Sequence, residues 1–433
     1  MKKIAIIGAG YTGLAMAKKL IENGFDVTIF EKENDIGGIA QTVNLYDKEI
    51  EKHYRHIFKS DKYVINLLKE LNLLDKLKWI ETKMGYYTNN SIYTFGTPIS
   101  LLKFKPLNYI EKIRFGLSII NIRLIKNYKN LEKYTAKEWI INNYGKKIYE
   151  TIWEPLLNSK FGNEKEIISM SWLWGKICLR SSSSTLNGEK LGYLKGSYGL
   201  LTKKIEQYLK ERNCKIYTNM LVENVLKKDN MWEINSGKIK EKFDVVVSTV
   251  AYPITQNIFH NYLDEEELEK INKLEYTCAK TLVLISKKSL TNYYWINIGD
   301  NTFPFGGVIE HTNMISKEEY NNKNIIYISN YMYKDQNLYK MQPKELINYY
   351  FPFIKKLNKN FKISDIEEVL CYEEDFAQPI IKKEYSEKIL NSKLNAKGLY
   401  VAGMAQIYPE DRGMNYAIKI GEEVAIEIID TYK

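Results

Sequence analysis

The sequence predicts an α/β fold: a Rossmann-like, dinucleotide-binding domain with a parallel sheet, interrupted by an α+β domain with a mixed sheet and a helical insert. Three observations predict it. A buried strand over Lys3–Ile7 runs into the turn Gly8-Ala9-Gly10-Tyr11-Thr12-Gly13 and then a helical segment reaching residues 20–23. A second strand over 27–31 ends in Glu31, completing a strand–helix–strand unit. Far downstream, Asp244-Val245-Val246-Val247-Ser248-Thr249-Val250 is the near-continuous apolar run of a strand covered on both faces of a parallel sheet.

The remaining elements follow in order. Residues 34–60 are rich in loop formers, and 61–74 open on Asp61 with Val64, Leu67, Leu68 and Leu71 at helical spacing. Residues 84–100 read as short aromatic strands with turns, and 109–149 as helices, together a domain inserted into the first. The polar stretch 180–188, with four consecutive serines, reads as a linker-like loop. The α/β pattern resumes with a helix over 199–211 and strands over 215–218, 221–226 and 244–250. Mixed strands and amphipathic helices fill 264–361, and a strand over 399–402 and a helix over 413–432 close the chain. The expected division is a dinucleotide domain of residues 1–80, 195–260 and 365–433, and a substrate domain of 81–194 and 261–364. A length of 433 residues suits two domains of about 200 residues each.

Composition narrows the function classes. At 45% apolar and 27% charged residues the chain can bury a large core, which excludes disordered and disulfide-scaffold classes. No apolar run approaches the ~18 residues of a spanning helix; Phe115 to Ile122 is bracketed by Arg114 and Arg123. The N-terminal apolar run stops at Gly8, too soon for a secretory signal. Cysteines 178, 214, 278 and 371 form no paired spacing, so a reducing cytoplasm is expected. The net charge of +10 reflects lysine usage, since only six of 63 basic residues are Arg; no nucleic-acid surface is expected. Those six positions are informative, because lysine cannot imitate the guanidinium fork.

The glycine turn carries chemistry. Gly8, Gly10 and Gly13 permit the tight turn, the approach of a pyrophosphate and close helix–strand packing, while Ala9, Tyr11 and Thr12 bring the helix N-terminus toward the phosphates. Glu31, eighteen residues past the third glycine, is placed to accept from ribose hydroxyls. This fingerprint does not separate NAD from FAD.

Glu31-Lys32 through Gly37-Gly38-Ile39-Ala40 does separate them, because a Gly-Gly pair follows the acid. Here the sequence resembles the glutathione-reductase-like flavoproteins, and among them the amine oxidase, protoporphyrinogen oxidase and UDP-galactopyranose mutase group. The resemblance implies FAD, with Lys32, Gly37, Gly38, Ile39 and Ala40 beside it; Ile39 stands where the group usually has Arg. Glu51 to Phe58 is similar to the segment running beside the isoalloxazine ring, which implies cofactor contacts for Tyr54, Arg55 and His56. Ala402-Gly403-Met404 and Arg412-Gly413-Met414 resemble the strand, turn and helix that close over the flavin, with Met404 where Asp is usual. The resemblance also implies a backbone contact near Val222, and Thr249 ends the buried strand at the ligand crevice. With no cysteine near Gly403, the FAD is expected to be non-covalent.

His56, His311 and Tyr408 are the candidate catalytic residues. His53 and His56 lack a third metal ligand, so no metal is expected, and no nucleophile elbow is present. Residues 306–313 read as a strand lining a cavity, with Glu310 or His311 facing substrate. Trp172 and Trp174 read as core. Glu410 and Asp411 read as acids complementing a helix dipole, with Arg412 pairing with them or with a flavin phosphate.

The resemblance implies an FAD-dependent oxidoreductase moving a hydride from a small or amphipathic organic substrate to flavin N5. No second glycine fingerprint follows a strand, so reoxidation falls to an external acceptor. Two alternatives stay open: a flavin-dependent sugar-nucleotide mutase and a non-catalytic binding protein of the same fold. A small-molecule substrate is the expected partner, with a sugar nucleotide or a lipid phosphate among the candidates. Residues 101–130 carry seven cations against one acid, Glu111. They read either as an ordinary surface helix or as a peripheral contact with the inner face of a membrane.

Overall fold

In the computed structural model, which describes residues 1–185, 188–237 and 239–433, strands β1 (Lys3–Ile7) and β2 (Asp26–Phe30) flank helix α1 (Tyr11–Glu22). β1 and β2 pair in parallel, Ile7 opposite Phe30. The strand Val245–Ser248 lies on the other side of β1, Ile4 opposite Val245. Leu399–Val401 and Lys215–Tyr217 extend this parallel sheet to five strands. Its apolar residues are buried on both faces, as β-branched runs in covered parallel sheets are. α1 packs on one face together with the terminal helix Met414–Tyr432. The two helices touch at Gly421, where a Cβ would stand 2.3 Å from the Thr12 carbonyl oxygen.

The second layer is a seven-stranded mixed sheet built around Tyr276–Ser286, Asn324–Met332 and Gly307–Glu310. It includes Ile366–Pro379, antiparallel to Tyr276–Ser286. Residues 366–379 therefore sit with the mixed sheet and not with the parallel sheet expected for 365–433. The helical insert runs from Tyr109–Leu124 through Ala136–Tyr144 and Glu154–Phe161 to Met170–Ser181.

Three local expectations are corrected. The expected loop over 180–188 begins later, because Arg180 and Ser181 complete the last turn of Met170–Ser181; Leu186 and Asn187 lie outside the described residues. The expected strand over 221–226 forms at Val225–Lys228, the first strand of a small antiparallel sheet, and Val222 precedes it. The helix of residues 199–211 starts earlier, at Ser197.

Candidate active site

The crevice at the carboxyl edge of the parallel sheet is built mainly from backbone. Gly8 has φ +106°, and a Cβ there would meet Thr249 Oγ1 at 2.7 Å. The Thr249 hydroxyl lies 2.9 Å from the Ile7 carbonyl and 3.0 Å from that of Gly8, holding the turn to the next strand. At Gly13 a Cβ would stand 2.2 Å from the Gly8 carbonyl oxygen, so glycine there lets α1 pack on β1. Gly10 has no neighbour within 4 Å of an added Cβ and caps α1 with no side-chain hydrogen bond. Gly413 has the same two properties at the start of the terminal helix. Two helix N-termini with unclaimed amides thus face one crevice of about 620 Å³.

Glu31 lines the crevice beside the glycine turn. Its buried carboxylate accepts from Ala9 N (2.8 Å) and Glu33 N (3.0 Å). A carboxylate has about four acceptor sites, so capacity for hydroxyl donors remains. The Gly37-Gly38 turn is locked to the first: Gly37 N donates to the Ala9 carbonyl (2.8 Å), and both glycines have positive φ. Of the sequence-derived cofactor residues, Gly8, Gly10, Tyr11, Thr12, Glu31 and Lys32 line the crevice. So do Gly37, Gly38, Ile39, Ala40, Arg55, Thr249, Met404, Arg412, Gly413 and Met414. Ala9 and Gly13 stand behind the turn, and Gly403 donates its N–H to Gln406. Val222 packs into the second core and does not reach the crevice.

A second cavity of about 220 Å³ joins the first through shared walls at Ile39, His53, Arg55, Glu374 and Arg412 to Met414. Tyr54 and His56 line this second cavity. His56 Nδ1 lies 3.1 Å from the Tyr294 hydroxyl, and burial pulls His53 and His56 down to about 3, so both are neutral at pH 7.

The other two catalytic candidates lie elsewhere. His311 is buried with Nε2 2.9 Å from the Tyr320 hydroxyl, and Glu310 accepts from Leu290 N and Thr291 N. The strand turns its glycine end, Gly306 and Gly307, to the cavity instead. Tyr408 is sequestered behind the wall: its hydroxyl is 2.5 Å from Ser171 Oγ and its ring packs on Tyr385 and Tyr128.

The residues that sequence reasoning missed are charged side chains from distant elements. Asp411 is not a surface helix acid. It is buried and accepts from Lys160 Nζ (2.7 Å), Lys176 Nζ (2.6 Å) and Trp172 Nε1 (3.1 Å). Burial alone would raise its pKa, but the two lysines hold its carboxyl well below the usual range. Burial pulls Lys160 down to about 7 despite Asp411 beside it. Arg412 does not pair with Glu410: it donates from Nε to Gln378 Oε1 (3.0 Å) and from Nη2 to the Tyr331 hydroxyl (2.5 Å). Arg180 was missed as well, and a usable signal for it was present, since it joins Arg55 and Arg412, so that three of the six arginines line this one cavity.

The crevice fits a dinucleotide. Besides the uncapped helices and Glu31, one buried polar atom on its wall, Arg55 Nε, has no hydrogen-bond partner among the described residues. Such groups are costly unless something satisfies them. The family described as flavin-containing amine oxidoreductase matches residues 11–429. The chain belongs to that family. Its cofactor is FAD, bound non-covalently as is typical of the family; among the described residues no cysteine lines either cavity. Two curated relatives show how broad the likeness is. One is the 15-cis-phytoene desaturase of Synechococcus elongatus, 29% identical over 154 residues, 32% of each chain. The other is the mitochondrial protoporphyrinogen oxidase of Nicotiana tabacum, 28% identical over 176 residues, 39% of this chain and 34% of that one. The match thus spans about a third of each relative's length. A solved structure, the candidate protoporphyrinogen oxidase of Exiguobacterium sp. 255-15, shares the fold over 99% of both chains at TM-score 0.79 and 14% identity.

Proposed function

We propose that this family member oxidises a small or amphipathic organic substrate held in the second cavity, the electrons passing to FAD and then to an external acceptor. The observation that carries the reading is the shared wall: a substrate in the second cavity stands beside whatever fills the crevice. The glycine turn, Glu31, Arg55 and the start of the terminal helix would hold FAD. FAD supplies the two-electron acceptor for a hydride leaving a substrate carbon. The chain supplies the enclosure. His56, Tyr54 and Trp295 form an aromatic wall, with Tyr54 edge-on to Trp295 at 4.7 Å, which excludes water and orients the substrate. Neutral His56, with one nitrogen at the Tyr294 hydroxyl, is the group we assign to hydrogen-bond the substrate through its other ring nitrogen.

The test is the visible spectrum of the purified protein, with anaerobic addition of amines, amino acids and other reduced organic compounds followed by air. The reading expects flavin bands that a substrate bleaches and an acceptor restores. Protein that takes up no FAD even on reconstitution would overturn it in favour of a binding protein. Turnover only with pre-reduced flavin, and no net oxidation, would overturn it in favour of a sugar-nucleotide mutase.

The proposal includes peripheral contact with an anionic membrane surface. Among the described residues, eight of the 18 exposed large apolar side chains fall within residues 99–124. Tyr109, Ile113, Leu117, Ile120 and Leu124 form one outward stripe of the helix Tyr109–Leu124, whose opposite face buries Phe115 and Ile122. Lys103, Lys105, Arg114, Arg123, Lys126 and Lys129 are exposed around it. Co-sedimentation with anionic but not zwitterionic vesicles, lost in Leu117→Glu, is the expected result; equal recovery without vesicles would remove this part.

A further inference from the structure

We infer that the second cavity selects a substrate bearing a carboxylate, anchored by Arg180, rather than a cationic amine; the inference rests on the flavin-enzyme reading above. The cavity wall carries Arg55, Lys176, Arg180 and Arg412, together with Lys160, which burial pulls down to about 7, against three carboxylates, Asp61, Glu374 and Asp411. Asp411 is fully engaged by Lys160 and Lys176. Burial raises Asp61 to about 7 and raises Glu374 as well, so neither offers a firm negative charge to an incoming ammonium group. The two histidines on the wall are neutral, and the field inside is positive.

Arg180 is a cation whose terminal nitrogens donate to no other described residue. Arg55 and Arg412 stand in the wall shared with the crevice, whereas Arg180 and Lys176 line only the second cavity. They are four residues apart, on one face of the helix Met170–Ser181. The Arg180 guanidinium lies over the Trp295 ring at 5.4 Å, which fixes its plane. Its one ion pair among the described residues, with Glu189 at 3.5 Å from Nε, lies outside the cavity lining and leaves the terminal nitrogens to present a two-pronged donor. A lysine would supply the charge without the fork, and in a chain whose basic residues are 57 lysines and six arginines (63 less six), three arginines meet here. Ile57, Leu156 and Leu179 add apolar wall, suiting an aromatic or aliphatic carboxylate.

The test titrates the FAD-loaded protein with benzoate and, separately, with benzylamine, its near-isosteric cation, and reads the visible flavin band. Benzoate should perturb the band saturably and benzylamine should not. Arg180→Met should weaken benzoate by about tenfold or more, with Arg180→Lys between the two, because one keeps neither charge nor fork and the other keeps charge alone. Benzylamine binding in preference, a silent benzoate titration, or unchanged benzoate affinity in Arg180→Met would each overturn the inference. If Arg180→Met loses its flavin through misfolding, Arg180→Lys and the wild-type pair of titrations still decide it. Protein that holds no FAD fails the flavin reading; protein that holds FAD but prefers benzylamine fails only this one.

Discussion

The crevice and the cavity that joins it are made by different means. The crevice is a backbone object: three glycines, one uncapped helix start and one carboxylate within 31 residues of the N-terminus, closed by a second uncapped helix start near residue 413. The cavity is a side-chain object, its charges drawn from residues 55, 61, 160, 176, 180, 374, 411 and 412. A backbone site is sensitive to added volume and indifferent to charge, and a side-chain site is the reverse. Substitutions that separate those responses test the distinction.

The largest effect is expected from charge in the cavity. Asp411→Asn keeps the shape and leaves Lys160 and Lys176 without their anion, which should cost about 3–5 kcal/mol in urea unfolding, because an orphaned buried charge is the expensive half of a broken pair. Lys160 also faces Trp172, Tyr331 and Arg412, none of which supplies negative charge at neutral pH. Its folded value, about 7, lies below its ordinary 10.5, so the folded state sheds its proton first and Lys160 disfavours folding most below pH 7. The deficit of Asp411→Asn should therefore shrink from pH 6 to pH 9. A deficit independent of pH would mean that Lys160 is not the residue left unpaired.

Volume in the crevice comes next. Gly13→Ala puts a methyl 2.2 Å from the Gly8 carbonyl oxygen, where only backbone can give way. Overpacking of this kind costs about 1–3 kcal/mol, and the displaced turn should lose FAD as well, read as flavin per polypeptide after desalting. Retained flavin with an unchanged melting temperature would show that α1 can shift without deforming the crevice.

The same contrast explains what was legible in the sequence. Gly8, Gly37 and Gly38 are tied by positive φ to a backbone conformation that few other residues adopt, and Gly10, Gly13 and Glu31 stand at fixed spacing close to them in the chain, so a local pattern pointed to the crevice. β1 and β2 were legible for a similar reason, since buried parallel strands are written in consecutive apolar residues. His311 and Tyr408 misled because a polar residue near a cavity-lining strand gives no sign of which way it points; both are satisfied in the core by Tyr320 and Ser171. Lys160 and Lys176 look like any other lysine in a lysine-rich chain. Their partner Asp411 lies 251 and 235 residues away, a separation that no local pattern encodes.

A smaller effect, of opposite sign, is expected at Asp61 on the cavity wall. Burial raises it to about 7 while its carboxylate accepts one hydrogen bond among the described residues, from Phe58 N at 2.8 Å. Its folded value lies above the ordinary 3.8, so the group's unfavourable contribution grows as pH rises from about 4 to 7. Asp61→Asn can still accept from Phe58 N without that penalty. It should stabilise by about 1–2 kcal/mol at pH 8 and by close to nothing at pH 4, checked by melting curves of wild type and variant at both values. Equal gains at both would place the effect in packing.

The smallest change in stability should carry the clearest functional signature. Gly10 sits three residues before Gly13 in the same motif, yet an added Cβ there meets nothing within 4 Å and its φ is an ordinary −72°. Gly10→Ala should therefore alter folding by no more than about 0.5 kcal/mol, in keeping with surface substitutions away from packed features. The space that makes it harmless is the space of the crevice, so the methyl would occupy volume that a pyrophosphate needs. The expected result is a normal melting temperature for the FAD-free protein with FAD affinity reduced at least about tenfold, the scale of one lost close contact to a charged group. Unimpaired FAD binding would mean that the cofactor approaches along Gly413 and the Gly37-Gly38 turn alone, and that the first helix contributes its dipole without direct contact.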